Sequence, residues 1–332
     1  MDAKRKVLVI GSNSFSGGDF IDLLLEEKKY SVLGVSRSPE KTGLFLPYKR
    51  HAAPDFEFRQ IDLNKDMPAL KELIADFKPE YVVNFAAQSE VAPSWKDPAQ
   101  WFRTNAVALT ELADFLKDCK FLKTYVHISS PEVYGGCVGV VKESAPLNPS
   151  TPYAASKAAG DLSLFTFVKN FKFPLVMIRS TNVYGAHQQL FKIIPRSVIY
   201  AKSGRTIELH GGGSAVKSYI HIRDISRGEL AAMERGRRGG IYHLSPDSGI
   251  AIRDVVALIC EKLKVPFDKA VKVVEERLGQ DAAYVIDSGK ARKDLGWSPS
   301  ISMETGLAEV IDWISANWEE VLREPLEYIH KP

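Results

Sequence analysis

Tyr153 and Lys157 stand four residues apart in Tyr-Ala-Ala-Ser-Lys, and Ser130 and Glu132 precede them in Ser-Ser-Pro-Glu-Val-Tyr-Gly. On a helix, positions i and i+4 share a face, which sets the Lys157 ammonium beside the Tyr153 phenol. A free phenol ionises near pH ~10 and a neighbouring cation favours the phenolate, so the pair predicts a base usable near neutral pH. Ser130 offers a hydroxyl to hold a reacting oxygen. Two residues further along an extended backbone, Glu132 points to the same side as Ser130 and adds a carboxylate. Each has an ordinary use as well: Tyr and Lys four apart decorate many amphipathic helices, a strand-end serine caps turns, and a loop acid is solvated. Together, a base, a proton-binding hydroxyl and a fixed cation are what oxidation of an alcohol needs.

Such groups need a scaffold, and the first half of the chain supplies a regular one. Val7 to Ile10, Ser31 to Val35, Phe56 to Ile61, Tyr81 to Phe85, Thr124 to Ile128 and Leu175 to Ile178 are short apolar runs, each separated from the next by a helix-length segment. Continuous apolar runs of this kind predict strands buried on both faces of a parallel sheet. The alternation predicts an α/β fold with a doubly wound sheet and right-handed crossovers. After Arg179 the rhythm changes. Residues 1–178 read as a dinucleotide-binding domain to which 220–250 return, and 179–219 with 251–332 read as a smaller, partly interleaved lobe.

The βα turn after the first strand carries Gly11, Ser14, Phe15 and Gly17. A glycine turn there lets the backbone approach a pyrophosphate, which the helix N-terminus stabilises. Ser14 breaks the usual glycine spacing, yet the position between strand and helix is the context the dinucleotide reading requires. The second strand ends in Ser36-Arg37-Ser38 with no acid for a ribose 2′-hydroxyl; Arg37 can pair with a 2′-phosphate, which favours NADP over NAD. Asp62 and Leu63 after the third strand, and Ala86, Ala87 and Gln88 after the fourth, are placed to line the same cleft.

Bulk properties exclude several classes. Net charge is +3, from 44 basic and 41 acidic residues without long blocks, so nothing demands nucleic acid. No apolar stretch is long enough to span a bilayer, and the basic start is followed by a strand-like run, unlike a signal peptide. Cys119, Cys137 and Cys260 are scattered with no CxxC spacing, which fits a reduced, cytoplasmic setting. The seven histidines show no metal-binding spacing.

The ordered set resembles the extended short-chain dehydrogenase/reductase family, in its nucleotide-sugar epimerase/dehydratase branch. It runs from the Gly11 turn through Asp62-Leu63, Asn84 to Gln88, Asn105, Ser130 and Tyr153/Lys157 to Arg179 to Gly185, Tyr219 to Asp224, Asp287, Lys290 and Leu295 to Pro299. The resemblance implies tightly bound NAD(P), with Asn105, Tyr153 and Lys157 in its site. It also implies a nucleoside-diphosphate sugar held by Asn182, His187, Lys192, Ile194, Lys217 and Arg277, and a homodimer formed through the helix before Ser130 and the Tyr153 helix. Tyr153 would take the proton of a sugar 4-hydroxyl, Lys157 would hold the nicotinamide ribose, and Ser130 would bind the reacting oxygen. Glu132 is typical of dehydratases, where a carboxylate removes the C5 proton made acidic by a 4-keto group; simple 4-epimerases carry a small or hydroxyl residue there. Pro131 departs from the Asp-Glu pair of glucose 4,6-dehydratases and offers no side-chain proton, although mannose-type dehydratases also lack that aspartate. The expectation is a nucleotide-sugar 4,6-dehydratase, with 4-epimerase or C6 decarboxylase as the alternative and a non-catalytic cofactor sensor behind them.

Overall fold

Val7 to Ile10 are at most 1% exposed, the burial required of a strand covered on both faces. A computed structural model, which describes residues 4–52, 54–136, 139–275 and 285–330, places this strand (Arg5–Ile10) inside a seven-stranded sheet. The order is Gly240–Leu244, Leu175–Ser180, Thr124–Ile128, Tyr81–Asn84, Arg5–Ile10, Tyr30–Ser36 and Phe56–Gln60. Every pairing in it is parallel. The expected doubly wound α/β sheet is thus present. Chain direction across the sheet reverses between the first and fourth strands, which opens a crevice beyond their carboxyl ends.

Helices cover both faces because each presents an apolar stripe. On one side Phe20, Ile21 and Leu24 of helix Phe15–Glu27 pack with Ile225, Ala231 and Ala232 of helix Ile222–Arg235. On the other, Leu70, Leu112 and Leu164 belong to helices Met67–Phe77, Leu109–Leu116 and Pro152–Phe171. Each fully buried Leu or Phe contributes about 1.5–3 kcal/mol.

The remaining helices form a separate apolar centre. Val198, Ile259, Leu307 and Ile314 join Ile193–Lys202, Ile252–Lys262 and Met303–Ala316 around one core. Two short ladders join the lobe: Val216–Lys217 pairs antiparallel with Ile250–Ala251, and Tyr219–His221 pairs parallel with Asn182–Tyr184. Cys119 and Cys260 are free thiols, and Cys137 and Arg277 lie outside the described residues. Among the described residues no helix is long and apolar enough to cross a membrane.

Candidate active site

The site begins where the first strand ends. Gly11 has φ +89°, and a Cβ on it would lie 2.8 Å from the Ala86 backbone nitrogen. Only glycine lets the first βα turn touch the end of the fourth strand, and that contact is the floor of the crevice. A Cβ on Gly17 would meet the Gly11 carbonyl at 2.4 Å. Ser14, at the broken glycine position, caps the helix: its hydroxyl accepts from Gly17 N at 2.9 Å. The departure in spacing is therefore a capped version of the same turn. Phe15 is buried in the first turn of that helix, at 9% exposure.

A cleft of about 420 Å³ opens above this floor. Gly11, Ser14, Ser36 and Arg37 line it, as do Asp62, Leu63, Ala86, Ala87 and Gln88. One oxygen of Asp62 already accepts the Asn64 N–H at 2.9 Å. Phe15 and Gly17 stand behind the wall. Sequence reasoning missed Asn13 and Lys41, which share the cleft. Asn13 is held by its amide, which donates to the Ser38 and Pro39 carbonyls at 3.0 and 2.8 Å, and Lys41 donates to the Asn13 carbonyl at 2.9 Å. An asparagine two residues past the turn glycine was the available signal.

Asn105 is 2% exposed and is a tie rather than a wall. Its carboxamide exchanges two hydrogen bonds with the Gln88 backbone, both 2.9 Å, and donates to Ser156 Oγ at 2.9 Å. It sits in a π-helical turn, Arg103–Ala108, between the helices Pro98–Phe102 and Leu109–Leu116. Gly160 of the Tyr153 helix packs so closely on this turn that a Cβ would lie 2.2 Å from the Asn105 carbonyl. Such π turns re-aim backbone groups at functional sites. Here the turn joins the fourth-strand loop to the helix that carries Tyr153 and Lys157.

The expected chemical groups converge. Ser130 is the N-cap of a 3₁₀ turn, Pro131–Tyr134, and accepts the Glu132 N–H at 3.2 Å. The turn, not an extended strand, puts Ser130 and Glu132 on one side. Pro131 occupies a first-turn position where no N–H is needed. Ser130 also hydrogen-bonds the Tyr153 phenol, whose pKa is pushed up by burial and by Glu132 and lowered by the Ser130 bond. Tyr153 is 8% exposed, and Ser94 Oγ anchors its backbone N–H at 3.2 Å.

Lys157 differs from the expectation that it polarises the phenol. Its ammonium donates to the Ile128 carbonyl at 2.8 Å and lies 3.4 Å from His127 Nε2. Burial pushes its pKa down to about 8; Asp161 raises it and Arg179 lowers it. Asp161 and Arg179 form a buried ion pair at 2.7 Å, with exposures of 0% and 1%. Ser129 donates to the same Asp161 oxygen at 2.7 Å. Burial and the two cations hold His127 well below the ordinary imidazole range, so it is neutral. The lysine thus stands over a polar layer that no spacing rule revealed.

Around the lobe, the expected sugar-binding residues divide. Lys192 reaches across to Glu90 at 2.7 Å, and Glu90 also lines the cleft and acts on Tyr153. Asn182 and Lys217 are half-buried in the short ladders. His187 Nδ1 donates to the Leu44 carbonyl at 2.8 Å and its ring leans on Trp313, so it braces the lobe. Ile194 is corrected: at 1% exposure it belongs to the lobe core, and its side chain has no face for a ligand. Among the described residues no group of His, Cys, Asp and Glu is arranged to hold a metal.

Comparison with known proteins agrees with this geometry. A dTDP-glucose 4,6-dehydratase from Streptomyces antibioticus is 30% identical over 331 residues, covering 96% of each chain. One from Neisseria gonorrhoeae is 26% identical over 95% of this chain and 97% of its own. Among solved structures, a dTDP-glucose 4,6-dehydratase from Streptomyces venezuelae with NAD bound superposes with TM-score 0.88 at 29% identity, covering 97% of this chain and all of the other. A UDP-glucose 4-epimerase from Thermotoga maritima, solved with UDP-glucose, gives TM-score 0.85 at 25% identity over 94% and 99%. The model of the GDP-mannose 4,6 dehydratase family matches residues 8–310, and the chain belongs to that family.

Proposed function

We propose that the protein is a nucleotide-sugar 4,6-dehydratase that turns a nucleoside-diphosphate hexose into its 4-keto-6-deoxy form. The observation that carries the reading is the meeting of Ser130, Tyr153 and Glu132, a phenol bonded to a hydroxyl within the field of a second carboxylate. Gly11, Arg37, Asp62 and Ala86 would hold a nicotinamide dinucleotide in the cleft, and its chemistry there would be reversible hydride acceptance. Tyr153, once it has lost its own proton to solvent, takes the O4 proton while Ser130 holds that oxygen. Glu132 removes the C5 proton and, because Pro131 has none to give, delivers it to the departing C6 hydroxyl, which leaves as water. Reprotonation of C5 from solvent balances the proton Tyr153 removed.

Tight retention of NAD(P) fits this sequence of steps, because the hydride must come back. The absence of an acid at Ser36-Arg37-Ser38, with Lys41 in the same cleft, supports NADP; tighter binding of NAD in side-by-side titrations would reject that choice. Exposed Val107 and Leu162, at 62% and 59%, support a homodimer through those helices, and a monomer in sedimentation would refute it. Together with free Cys119 and Cys260, these features suit a cytoplasmic setting. The second reading is 4-epimerisation, favoured by Pro131 at the position of the missing acid.

Product mass separates the readings. With a panel of nucleotide hexoses and no added cofactor, the expected product has lost one water. Unchanged mass with inverted stereochemistry would establish the epimerase, and loss of carbon dioxide the decarboxylase.

A further inference from the structure

The cleft has one wall that the doubly wound sheet does not provide. After helix Trp318–Val321 the chain runs across the opening, and Glu324, Pro325, Glu327, Tyr328 and Ile329 line the same cavity as Gly11, Arg37 and Gln88. The run is fastened at both sides. On the lobe side Leu326 packs against the core and Tyr328 meets Phe191 edge to face, with centroids 5.3 Å apart. On the sheet side the His330 ring stacks on Trp101 at 5.2 Å and 10°. Its Nε2 donates to Gln100 Oε1 at 2.7 Å, which leaves Nδ1 to accept from the Tyr328 hydroxyl at 2.9 Å. The Tyr328 phenol lies within the fields of both Glu90 and Arg37, which line the same cleft.

We propose that Glu324–His330 is part of the cofactor site. Tyr328 and Ile329 supply contact surface over the bound dinucleotide, and the His330–Trp101 stack with its two hydrogen bonds latches the run closed. The chemistry gives such a wall a purpose: if the cofactor escapes after C4 oxidation, the hydride cannot return and the turnover is lost. A segment that must detach at its Trp101 end before the dinucleotide leaves slows that escape without touching the sugar. The inference rests on the dinucleotide reading of the cleft.

The test uses the full chain with Tyr328→Ala, His330→Ala and Tyr328→Phe. Dinucleotide per chain is measured after purification, and its dissociation rate by displacement with excess of a fluorescent dinucleotide analogue, with far-UV circular dichroism to show that each variant is folded. The expected result is at least tenfold faster release from both alanine variants, with less co-purified dinucleotide. Tyr328→Phe keeps the ring contact but not the hydrogen bond, and falls between them and the parent. Equal release rates in folded variants would overturn the role of the segment alone, as would slower release, which would mean that it obstructs the cleft. A parent protein that binds no dinucleotide would overturn the reading of the cleft itself and this inference with it.

Discussion

In the proposed mechanism Ser130 links the two proton transfers. Its oxygen accepts the Glu132 N–H at the start of the carboxylate-bearing turn, and its hydroxyl is also bonded to the Tyr153 phenol. The phenol is held protonated by burial and by the negative charge of Glu132, so oxidation and C5 deprotonation are electrostatically opposed in the resting arrangement. Freeing Tyr153 of its own proton, so that it can accept the one from O4, is easiest when Glu132 is neutral, and removing the C5 proton needs Glu132 ionised. Glu132→Gln separates the two. The variant is expected to keep the first burst of nicotinamide reduction in stopped-flow absorbance, and to lose about 10²–10⁴ in the rate of water elimination, the usual contribution of a positioned acid–base group. Dehydration at the parent rate would remove Glu132 from the mechanism. Ser130, Glu132, Tyr153 and Lys157, the four residues proposed for the chemistry, were legible as a motif of residue types and spacing. The direction of the Lys157 ammonium and the Glu90–Lys192 pair were not, since each depends on a partner supplied by another element.

The Tyr153 helix, Pro152–Phe171, carries its charges in an order set by helical spacing: Tyr153, Lys157 and Asp161 at i, i+4 and i+8. Lys157 and Arg179 both face Asp161, so two buried cations act on one buried carboxylate. The lowered Lys157 pKa makes its charge a cost to folding. In the folded state the ammonium is lost above about pH 8, whereas in the unfolded chain it persists to about pH 10.4. Below pH 8 the penalty is fully present; between those values the unfolded state binds more protons and stability rises with pH. Lys157→Met should therefore raise the unfolding free energy at pH 7 by on the order of 3 kcal/mol while abolishing turnover. The gain should shrink by pH 9.5, as measured by urea unfolding at both values. A destabilised Lys157→Met at pH 7 would contradict this account of the helix. The helix itself was legible from its spacing, but the polar layer beneath it was not. His127, Asp161 and Arg179 come from a strand, a helix and another strand, and no local pattern in sequence brings them together. The π turn at Arg103–Ala108 was hidden for a related reason: it packs against Gly160, which is 55 residues from Asn105 in the chain.

At the scale of the molecule, the strand rhythm of the first half announced the sheet, since strands buried on both faces must be apolar throughout. The lobe was less legible. Its ladders are two to four residues long, too short for a periodicity to show, and its core gathers helices that lie far apart in the chain. What the whole arrangement achieves is containment: sheet, lobe and the Glu324–His330 run surround one cleft in which the same hydride must leave C4 and come back to the same sugar. Position-specific labelling tests that claim most directly. With a nucleotide hexose carrying deuterium at C4, turned over without added cofactor, the account predicts a product with the deuterium at C6 and one water lost. Deuterium still at C4 in a product of unchanged mass would contradict it and assign the protein to epimerisation.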